Sequence, residues 1–483
     1  MRYATLLTFS LLFSGGLFAQ ANQPWTLERA VQYALDNNLQ IQQSQLFEEQ
    51  ARLQLAQAKN NKLPTVSGSS NVGLQFGRTI DPTTNSFDQQ TIGFQGYQVQ
   101  AGVTLYNGGL IKNRERRAEI AYAQAKTNTK VSNNDNALLV ANSYLNIVLL
   151  REQLANARAQ LALTEGQLDN TNRLIDAGAL PPAQRFDLQA QAAANQRSIV
   201  ELENQADMAV LGLKLLLQLD YTDEFSVATP EIELTEAQLL QEYNLEEVFL
   251  SARGIQPTIL AAELQREAAE MDIEIAKAGL RPTVTVFGSV STNFSTAAKD
   301  FSQVEPGEPV LGPAIPVEIN GETATLAEFR FPSANTGDLP TIGYVDQLDR
   351  NFGQSVGMTI NVPIYSQGRN KNNIQQAKVT RELQAVNIEL AENNLRNDVE
   401  LALTNLRAAQ QTYRAAAVSL DASQTAYDNA QRSFRAGAAN SLDLVQATNR
   451  LDQARTELTR SKYQLIFNRQ VIRFYLGQGL TFE

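Results

Sequence analysis

The chain has 483 residues, a net charge of −11, no cysteine and no histidine. The acidic balance argues against a nucleic-acid partner. The missing His and Cys exclude Ser-His-Asp catalysis, Cys-His catalysis and the usual zinc sites. The sequence singles out no pair of carboxylates, so we expect no enzyme activity, no cofactor and no metal site.

The N-terminal residues 1–19 have the pattern of a secretory signal peptide. Arg2 gives a positive start, residues 4–13 are mostly apolar, and small residues follow at 14–16. The apolar run is too short for a membrane helix, and no later stretch has the roughly 20 apolar residues that such a helix needs. If the chain spans a membrane, we therefore expect it to do so with strands.

The chain then begins with helix and changes to strand. Thr26 is a favourable N-cap, and a break in the helix is predicted near residues 37–38. Pro64 ends the helical pattern, because proline cannot continue a helix and favours an extended residue before it. Apolar and polar residues then alternate, which predicts strands at about 64–77 and 94–106 with one apolar face and one small or polar face.

A very long helical hairpin is predicted after the second strand. No proline occurs between Gly109 and Ile175, a span of roughly 99 Å as a straight helix. Apolar and small residues recur at alternating spacings of three and four, the period of a left-handed coiled coil. The hairpin turn is predicted at 175–187, and residues 220–243 are predicted as a linker.

The second half of the chain follows the same plan. Gly437 lies 259 positions after Gly178, whereas Pro282 lies 218 positions after Pro64. The difference of 41 residues falls between the second pair of strands. We predict an internal two-fold repeat with these parts: a first repeat 20–219, a second repeat 244–483, strands at about 282–294 and 352–364, a loop at 295–351, and a hairpin tip at 434–443.

Four strands per chain cannot close a barrel alone, because about eight is the smallest number that does. An open sheet edge is not tolerated in lipid. Several copies must then share one barrel, and the attached helices must bundle into a second cylinder. The strands are near the 9–11 residues that cross an outer membrane at a tilt, so the sequence predicts a tube that continues from the membrane.

The sequence resembles the TolC family of outer-membrane efflux proteins. The resemblance covers nearly the whole chain after the signal peptide. It depends on the repeat, on Leu63-Pro64, on Tyr106-Asn107-Gly108-Gly109, and on two Ala-Gly-Ala turns that are each followed by Asp-Leu. It implies a mixed α/β membrane protein: a homotrimer in the outer membrane, with a 12-stranded barrel of four strands per chain above a periplasmic α-helical coiled-coil barrel.

The resemblance also implies the function and the partners. Members of the family are passive exit ducts of tripartite efflux or type I secretion systems. The expected partners are a periplasmic adaptor protein, an inner-membrane transporter of the RND, ABC or MFS type, and outer-membrane lipid. The alternative interpretation is a non-channel periplasmic coiled-coil scaffold whose strands form a soluble β-domain.

Gating residues of the family can be carried over only in part. Asp443 matches an acidic ring at the closed tip, and a second acidic position is Gln446 here. The tyrosine and arginine of the family's tip lock correspond to Phe434 and Ala439, and their carboxylate partner corresponds to Asp187. Asp443 and Asp187 also suit helix capping, so both interpretations stay open.

The turns themselves are candidate contacts for the adaptor, since small residues let another backbone approach. Gly178 and Gly437 equally suit plain turn geometry after a helix. The candidate contact residues are Gly178, Ala179, Gly437, Ala438, Ser441 and Leu442.

Two further features of the strand region have alternative interpretations. An aromatic girdle at the lipid interface or ordinary strand packing would account for four aromatic residues. The 295–351 loop, extracellular in this family's topology, either shields the barrel mouth or binds a ligand outside the cell. The four aromatic residues are Phe76, Phe94, Tyr97 and Phe352.

Overall fold

The computed structural model describes residues 24–80, 87–89, 91–229, 235–300, 302, 309–327, 329–330 and 339–479. The predicted signal peptide at 1–19 lies outside the described residues. The chain divides into two compact units, the first made of residues 1–55, 117–270 and 377–483 and the second of residues 56–116 and 271–376.

Helices form most of the described chain. They are α1 (Leu27–Asn37), α2 (Leu39–Asn60), α3 (Leu110–Asp176), α4 (Gln184–Leu217), α5 (Glu236–Leu240), α6 (Leu245–Ile255), α7 (Pro257–Ala278), α8 (Tyr344–Arg350), α9 (Arg369–Arg435) and α10 (Ser441–Tyr475). None of the helices in the described ranges combines the length and the apolar character needed to cross a bilayer.

The strands fall between α2 and α3 and between α7 and α9. They are β1 (Thr65–Gln75), β2 (Arg78–Ile80), β3 (Phe87–Gln89), β4 (Ile92–Tyr106), β5 (Thr283–Ser295), β6 (Val310–Leu311), β7 (Ile315–Ile319), β8 (Glu322–Leu326), β9 (Phe329–Arg330) and β10 (Gly353–Asn361).

The helix boundaries follow local signals in the sequence. The Thr26 hydroxyl caps α1 by accepting a hydrogen bond from the Arg29 N–H at 3.2 Å. Asn38 is extended and separates α1 from α2, which confirms the predicted break. The helices α2 and α7 end shortly before Pro64 and Pro282, as proline requires.

The second unit contains an antiparallel sheet in the order β1-β4-β5-β10. β4 pairs with β1 on one side and with β5 on the other, and β10 pairs with β5. Because all three pairings are antiparallel, the β1–β4 and β5–β10 connections leave the sheet at the same end. β1 and β10 are its edges, and neither pairs with a further strand among the described residues.

The register of this sheet separates two chemically different faces, because cross-strand partners share a face. Val72 and Val356, on the apolar face, are 80% and 86% exposed. The apolar face carries Val66, Val72, Leu74, Tyr97, Val99, Val103, Val284, Val286, Val290, Val356, Met358 and Ile360. The other face carries Thr65, Ser67, Ser69, Asn71, Gln98, Gln100, Thr104, Thr285, Ser289, Ser291, Ser355 and Thr359. The predicted alternation is confirmed.

Two aromatic side chains on the polar face lie over glycines. Phe94 is opposite Gly73 and Phe287 is opposite Gly357. A Cβ added at these glycines would stand 2.6 and 2.5 Å from the ring carbons, so the rings occupy that space. The grouping of Phe94 with Tyr97 in one girdle is wrong, because an odd separation along a strand puts two side chains on opposite faces.

The 295–351 segment has its own structure. It contains the antiparallel pairs β6–β9 and β7–β8 and the helix α8. Asn320 and Gly321 have φ of +57° and +85°, the left-handed pair that a tight type I′ hairpin turn requires. The described part of the predicted loop therefore contains one hairpin, β7–β8, the short strand pair β6–β9 on either side of it in the chain, and a helix.

Two large apolar clusters pack the helices of the first unit, and a smaller third cluster lies near the hairpin tips. One large cluster joins α1, α3, α4 and α10, and the other joins α6, α9 and α10. The first includes Leu27, Tyr144, Ile147, Leu213 and Tyr463. The second includes Val248, Ala252, Val399, Leu465 and Ile472. Burying each such side chain contributes about 1.5–3 kcal/mol.

Candidate gate at the hairpin tips

Both hairpin tips end their first helix in the same way. Gly178 has φ +74° and Gly437 has φ +73°. The Gly178 and Gly437 N–H groups donate to carbonyls three residues earlier at 2.9 and 3.0 Å. The N–H groups of Ala179 and Ala438 donate to carbonyls five residues earlier at 2.8 and 2.9 Å. This is a Schellman ending, so both glycines are required by the turn itself.

The two tips differ in how their second helix begins. At α10 the N-cap is Asn440, whose side chain accepts from the Asp443 N–H at 2.9 Å, while the Asp443 carboxylate faces the Asn440 N–H at 3.4 Å. Together they form a capping box. At α4 the N-cap position is Ala183, which offers no side-chain cap.

These contacts correct the capping interpretation of the two aspartates. Asp443 is the third residue of α10 and the acidic member of the box, so it is not the N-cap. Asp187 lies inside the first turn of α4 and does not cap that helix. Its carboxylate instead accepts a hydrogen bond from the Ser441 hydroxyl at 2.9 Å. Ser441 is 2% exposed, so this bond joins the two tips at a closely packed point.

The remaining predicted gate residues lie in different surroundings. Phe434 is buried with Tyr427, Leu444 and Leu451 in a small apolar cluster. Asp443 and Gln446 are exposed on α10, while Ala439 is half-buried. Phe434 therefore lies in the packed interior of the tip, whereas Asp443 and Gln446 are exposed to solvent in the single chain.

The predicted adaptor-contact residues are mostly exposed. Gly178, Ala179, Gly437 and Ala438 lie on the surface, and Leu442 is 51% exposed. A Cβ added at either glycine would meet no atom within 4 Å. Ser441 differs from the others, because it is buried against Asp187.

A set of hydrogen bonds between the hairpins was not predicted from the sequence. We call it the lateral bridge; it comprises Asn156–Thr459, Gln167–Tyr427, Gln191–Asn449 and Asp187–Ser441. The first three donor–acceptor distances are 3.2, 3.2 and 3.1 Å. Each bond joins the α3–α4 hairpin to the α9–α10 hairpin at a different height.

The lateral bridge continues into the first hairpin. Gln191 donates to the Asn195 side-chain oxygen at 2.8 Å, and Asn195 donates to the Thr164 hydroxyl at 2.9 Å. Thr164 is fully buried. The sequence did carry a signal for these contacts, since Thr164 and Asn195 are polar residues within otherwise apolar or small seams.

A cleft of about 520 Å³ lies beside the bridge near the tips. It lies between α3 and the second hairpin, and its wall combines apolar and amide side chains. It is lined by Ala162, Leu163, Gly166, Gln167, Asn170, Leu174, Gln431, Phe434, Arg435 and Leu444. Among the described residues, no group of three or more acidic side chains is arranged to hold a metal ion.

Comparison with known proteins identifies the family. The model of the family described as "outer membrane efflux protein" matches residues 30–217 and 333–478. The outer membrane efflux protein BepC of Brucella suis is 22% identical over 462 residues, which are 95% of this chain and 87% of that protein. The outer membrane protein TolC of Escherichia coli is 20% identical over 95% of this chain and 84% of that protein.

A solved structure agrees with this assignment at the level of the fold. The outer membrane protein VceC of Vibrio cholerae superimposes with a TM-score of 0.72 at 14% identity, covering 94% of this chain and 97% of that chain. Because the family's matched segments make up well over half of the sequence, this chain belongs to the outer membrane efflux protein family and is a TolC-like protein of the outer membrane.

Proposed function

We propose that three copies of this chain form the exit duct of a tripartite efflux or type I secretion system. Each copy contributes four strands to a 12-stranded barrel and two helical hairpins to a periplasmic coiled-coil barrel. The duct conducts substrate passively from an inner-membrane transporter and a periplasmic adaptor to the outside. It works as a channel without catalytic chemistry.

The sheet β1-β4-β5-β10 carries this proposal. Its apolar face is exposed in the single chain, and burying such side chains in lipid is favourable by about 25 cal/mol per Å². Its polar face of Ser, Thr, Asn and Gln suits water in a lumen. The unpaired edges β1 and β10 are not tolerated in hydrocarbon, and pairing β10 of one copy with β1 of the next removes both.

The element lengths support an internal two-fold repeat. α3 and α9 each have 67 residues, and α4 and α10 have 34 and 35. We retain the boundaries inferred from the sequence: a signal peptide at 1–19, repeats at 20–219 and 244–483, and a linker at 220–243. The short helix α5 lies inside this linker.

The tips provide the gate and the adaptor contacts in this proposal. Exposed Asp443 lines the narrowest ring, and exposed Gln446 is the next position on that surface. Asp187 and Ser441 hold the two hairpins of one copy together, with Phe434 and Ala439 packed beside them. The adaptor contacts the exposed tip residues Gly178, Ala179, Gly437, Ala438 and Leu442. The cleft beside them combines apolar and amide side chains, which suits contact with a helix of the partner.

The partners follow from the same family. The relative OpmQ of Pseudomonas aeruginosa is named as a pyoverdine export protein and is 33% identical over 200 residues, about two-fifths of each chain. Export through an outer-membrane duct needs an energised pump in the inner membrane. We therefore propose an adaptor and an RND, ABC or MFS transporter as partners. A scaffold with a soluble β-domain does not fit an outer-membrane location.

Electron microscopy of the detergent-purified protein tests the duct directly. We expect a hollow tube with three-fold symmetry, and ion conductance when the same preparation is added to a planar bilayer. A compact single copy or a solid rod without conductance would contradict the proposal.

A further inference from the structure

The insertion between β5 and β10 presents an apolar surface that its own chain does not cover. In the hairpin β7–β8, Ile315 pairs with Leu326, Val317 with Ala324 and Ile319 with Glu322. These six residues share one face, which we call the insertion face. Ile315, Ile319 and Leu326 are 53%, 54% and 57% exposed. An isolated two-stranded hairpin is marginal in water, so this face needs a partner.

A second exposed apolar surface lies in the β1–β4 connection. In the hairpin β2–β3, Ile80 pairs with Phe87 and Arg78 pairs with Gln89. Ile80 and Phe87 are 49% and 64% exposed. The Arg78 guanidinium lies over the Phe87 ring at 4.8 Å, which places Arg78 on the same face. We call these four residues the β2–β3 face.

The two faces match in chemistry. Each face combines apolar side chains with one charge. The charge is the carboxylate of Glu322 on the insertion face and the guanidinium of Arg78 on the β2–β3 face. Both connections leave the sheet at the same end. Within one copy neither face covers the other, since both remain exposed.

The side of the insertion that faces its own copy is already occupied. The Tyr344 hydroxyl of α8 lies 3.0 Å from the Tyr97 hydroxyl of β4. The Tyr344 ring packs at a tilt against the Phe294 ring, with centroids 4.9 Å apart, and the Thr292 hydroxyl donates to the Leu348 carbonyl at 2.7 Å. These contacts attach the insertion, through α8, to β5 and β4 of its own copy. None of these contacts involves a residue of the insertion face, and in the proposed barrel the next copy begins beside the edge strand β10.

We infer that the insertion face packs on the β2–β3 face of the adjacent copy. The inference rests on the proposed three-copy barrel, in which β10 of one copy lies beside β1 of the next and brings these two connections together. The insertion then acts as a clasp between copies at the outer rim. Its function is to hold neighbouring copies together, in the strand connection that is 41 residues longer in the second half of the chain than in the first.

Cysteine cross-linking tests the clasp cleanly, because the chain has no cysteine of its own. The double variant Val317→Cys with Ile80→Cys is treated with a short bismaleimide linker and run on a denaturing gel. We expect species of two and three linked copies. The matched control, Glu318→Cys with Ile80→Cys, moves the first thiol to the opposite face of the hairpin and should link at least tenfold less.

The failure of the clasp and the failure of the duct are distinguishable in the same preparation. Three-fold particles in the microscope without linked copies would overturn the clasp and leave the duct intact. A link confined to one copy, seen as an altered single-copy band, would also overturn it. Absence of three-fold particles would remove both proposals.

A second measurement distinguishes whether protein, lipid or water contacts the insertion face. Val317→Cys alone is labelled with a maleimide reagent in outer-membrane vesicles and in detergent. Protection in both, lost when Ile80→Lys is added, is the expected result. Protection in vesicles only would assign the face to lipid, and labelling in both would leave the face uncovered; either result overturns the clasp.

Discussion

At the residue scale, the bond between Ser441 and Asp187 is the contact that most directly ties the two tips together. The donor is buried and the acceptor carboxylate is partly solvated, so loss of the bond costs a modest amount, about 0.5–1.5 kcal/mol. That is enough to change the population of an open state severalfold, since 1.4 kcal/mol corresponds to a factor of ten.

Ser441→Ala removes the hydroxyl donor and leaves the backbone of α10 unchanged. We expect open events in planar bilayers to become several times more frequent. Ser423→Ala, on α9 and away from the tip, is the matched control and should behave like the unmodified protein. Equal gating in both variants would assign the Ser441 bond to packing alone.

Asp443 at the same tip offers a test of the pore ring. Asp443→Asn keeps an oxygen acceptor for the capping box and removes one negative charge per copy. We expect lower cation selectivity and weaker block by divalent cations, because a ring of carboxylates favours cations. Asp428→Asn, exposed on α9, is the control, and unchanged reversal potentials in Asp443→Asn would argue against a pore role.

At the element scale, one buried amide side chain makes three of the hydrogen bonds that hold α8. Gln347 is 1% exposed, accepts from the Ser295 N–H at 2.9 Å, and donates to the Ser295 and Ile342 carbonyls at 2.9 and 2.8 Å. Both N–H donors of the amide and its carbonyl oxygen are therefore hydrogen-bonded. A seven-residue helix has little stability of its own, so these bonds contribute to holding α8 in place.

Gln347→Leu keeps the approximate size of the side chain and leaves the Ser295 N–H without its partner. A buried polar group left unpaired costs about 1–3 kcal/mol. We expect the amides of α8 to exchange with solvent tenfold or more faster. Gln354→Leu, exposed on β10, serves as the control, and slow exchange in Gln347→Leu would show that the other contacts of α8 are sufficient to fix the helix.

At the scale of the whole molecule, Asp452 is one of the groups that make stability depend on pH. Burial raises the pKa of the Asp452 carboxyl, and nearby Arg455 offsets part of this effect. A raised pKa means that the folded protein favours the protonated acid. This group therefore favours folding most at low pH, and its contribution is lost as the pH rises from the unfolded pKa through the folded pKa.

Asp452→Asn should remove this contribution, because the amide does not ionise. We expect the variant to raise the thermal unfolding temperature at pH 7.5 relative to the unmodified protein, with a smaller difference at pH 4. Asp421→Asn, exposed on α9, should show neither change. A lower unfolding temperature for Asp452→Asn at pH 7.5 would mean that the charged carboxylate stabilises the fold.

The sequence by itself determined the local structure. Thr26 marks the start of one helix and Pro64 the end of another, and Gly178 and Gly437 form the hairpin turns. The alternation of side chains along the strands defines the two faces of the sheet. Asn320-Gly321, between alternating apolar residues, was a readable hairpin signal that the sequence analysis missed. These features depend on residues a few positions apart, so short-range sterics and periodicity are sufficient to predict them.

Only the tertiary structure decided which polar groups meet. Ser441 reaches Asp187 across 254 positions, and Tyr427 reaches Gln167 across 260. Asn440 caps α10 where the sequence also favoured Asp443. Such pairings depend on how two hairpins are rotated and shifted against each other. The rotation and shift of one hairpin against the other are set by many packing contacts along the helix seams. A local sequence pattern does not contain this information.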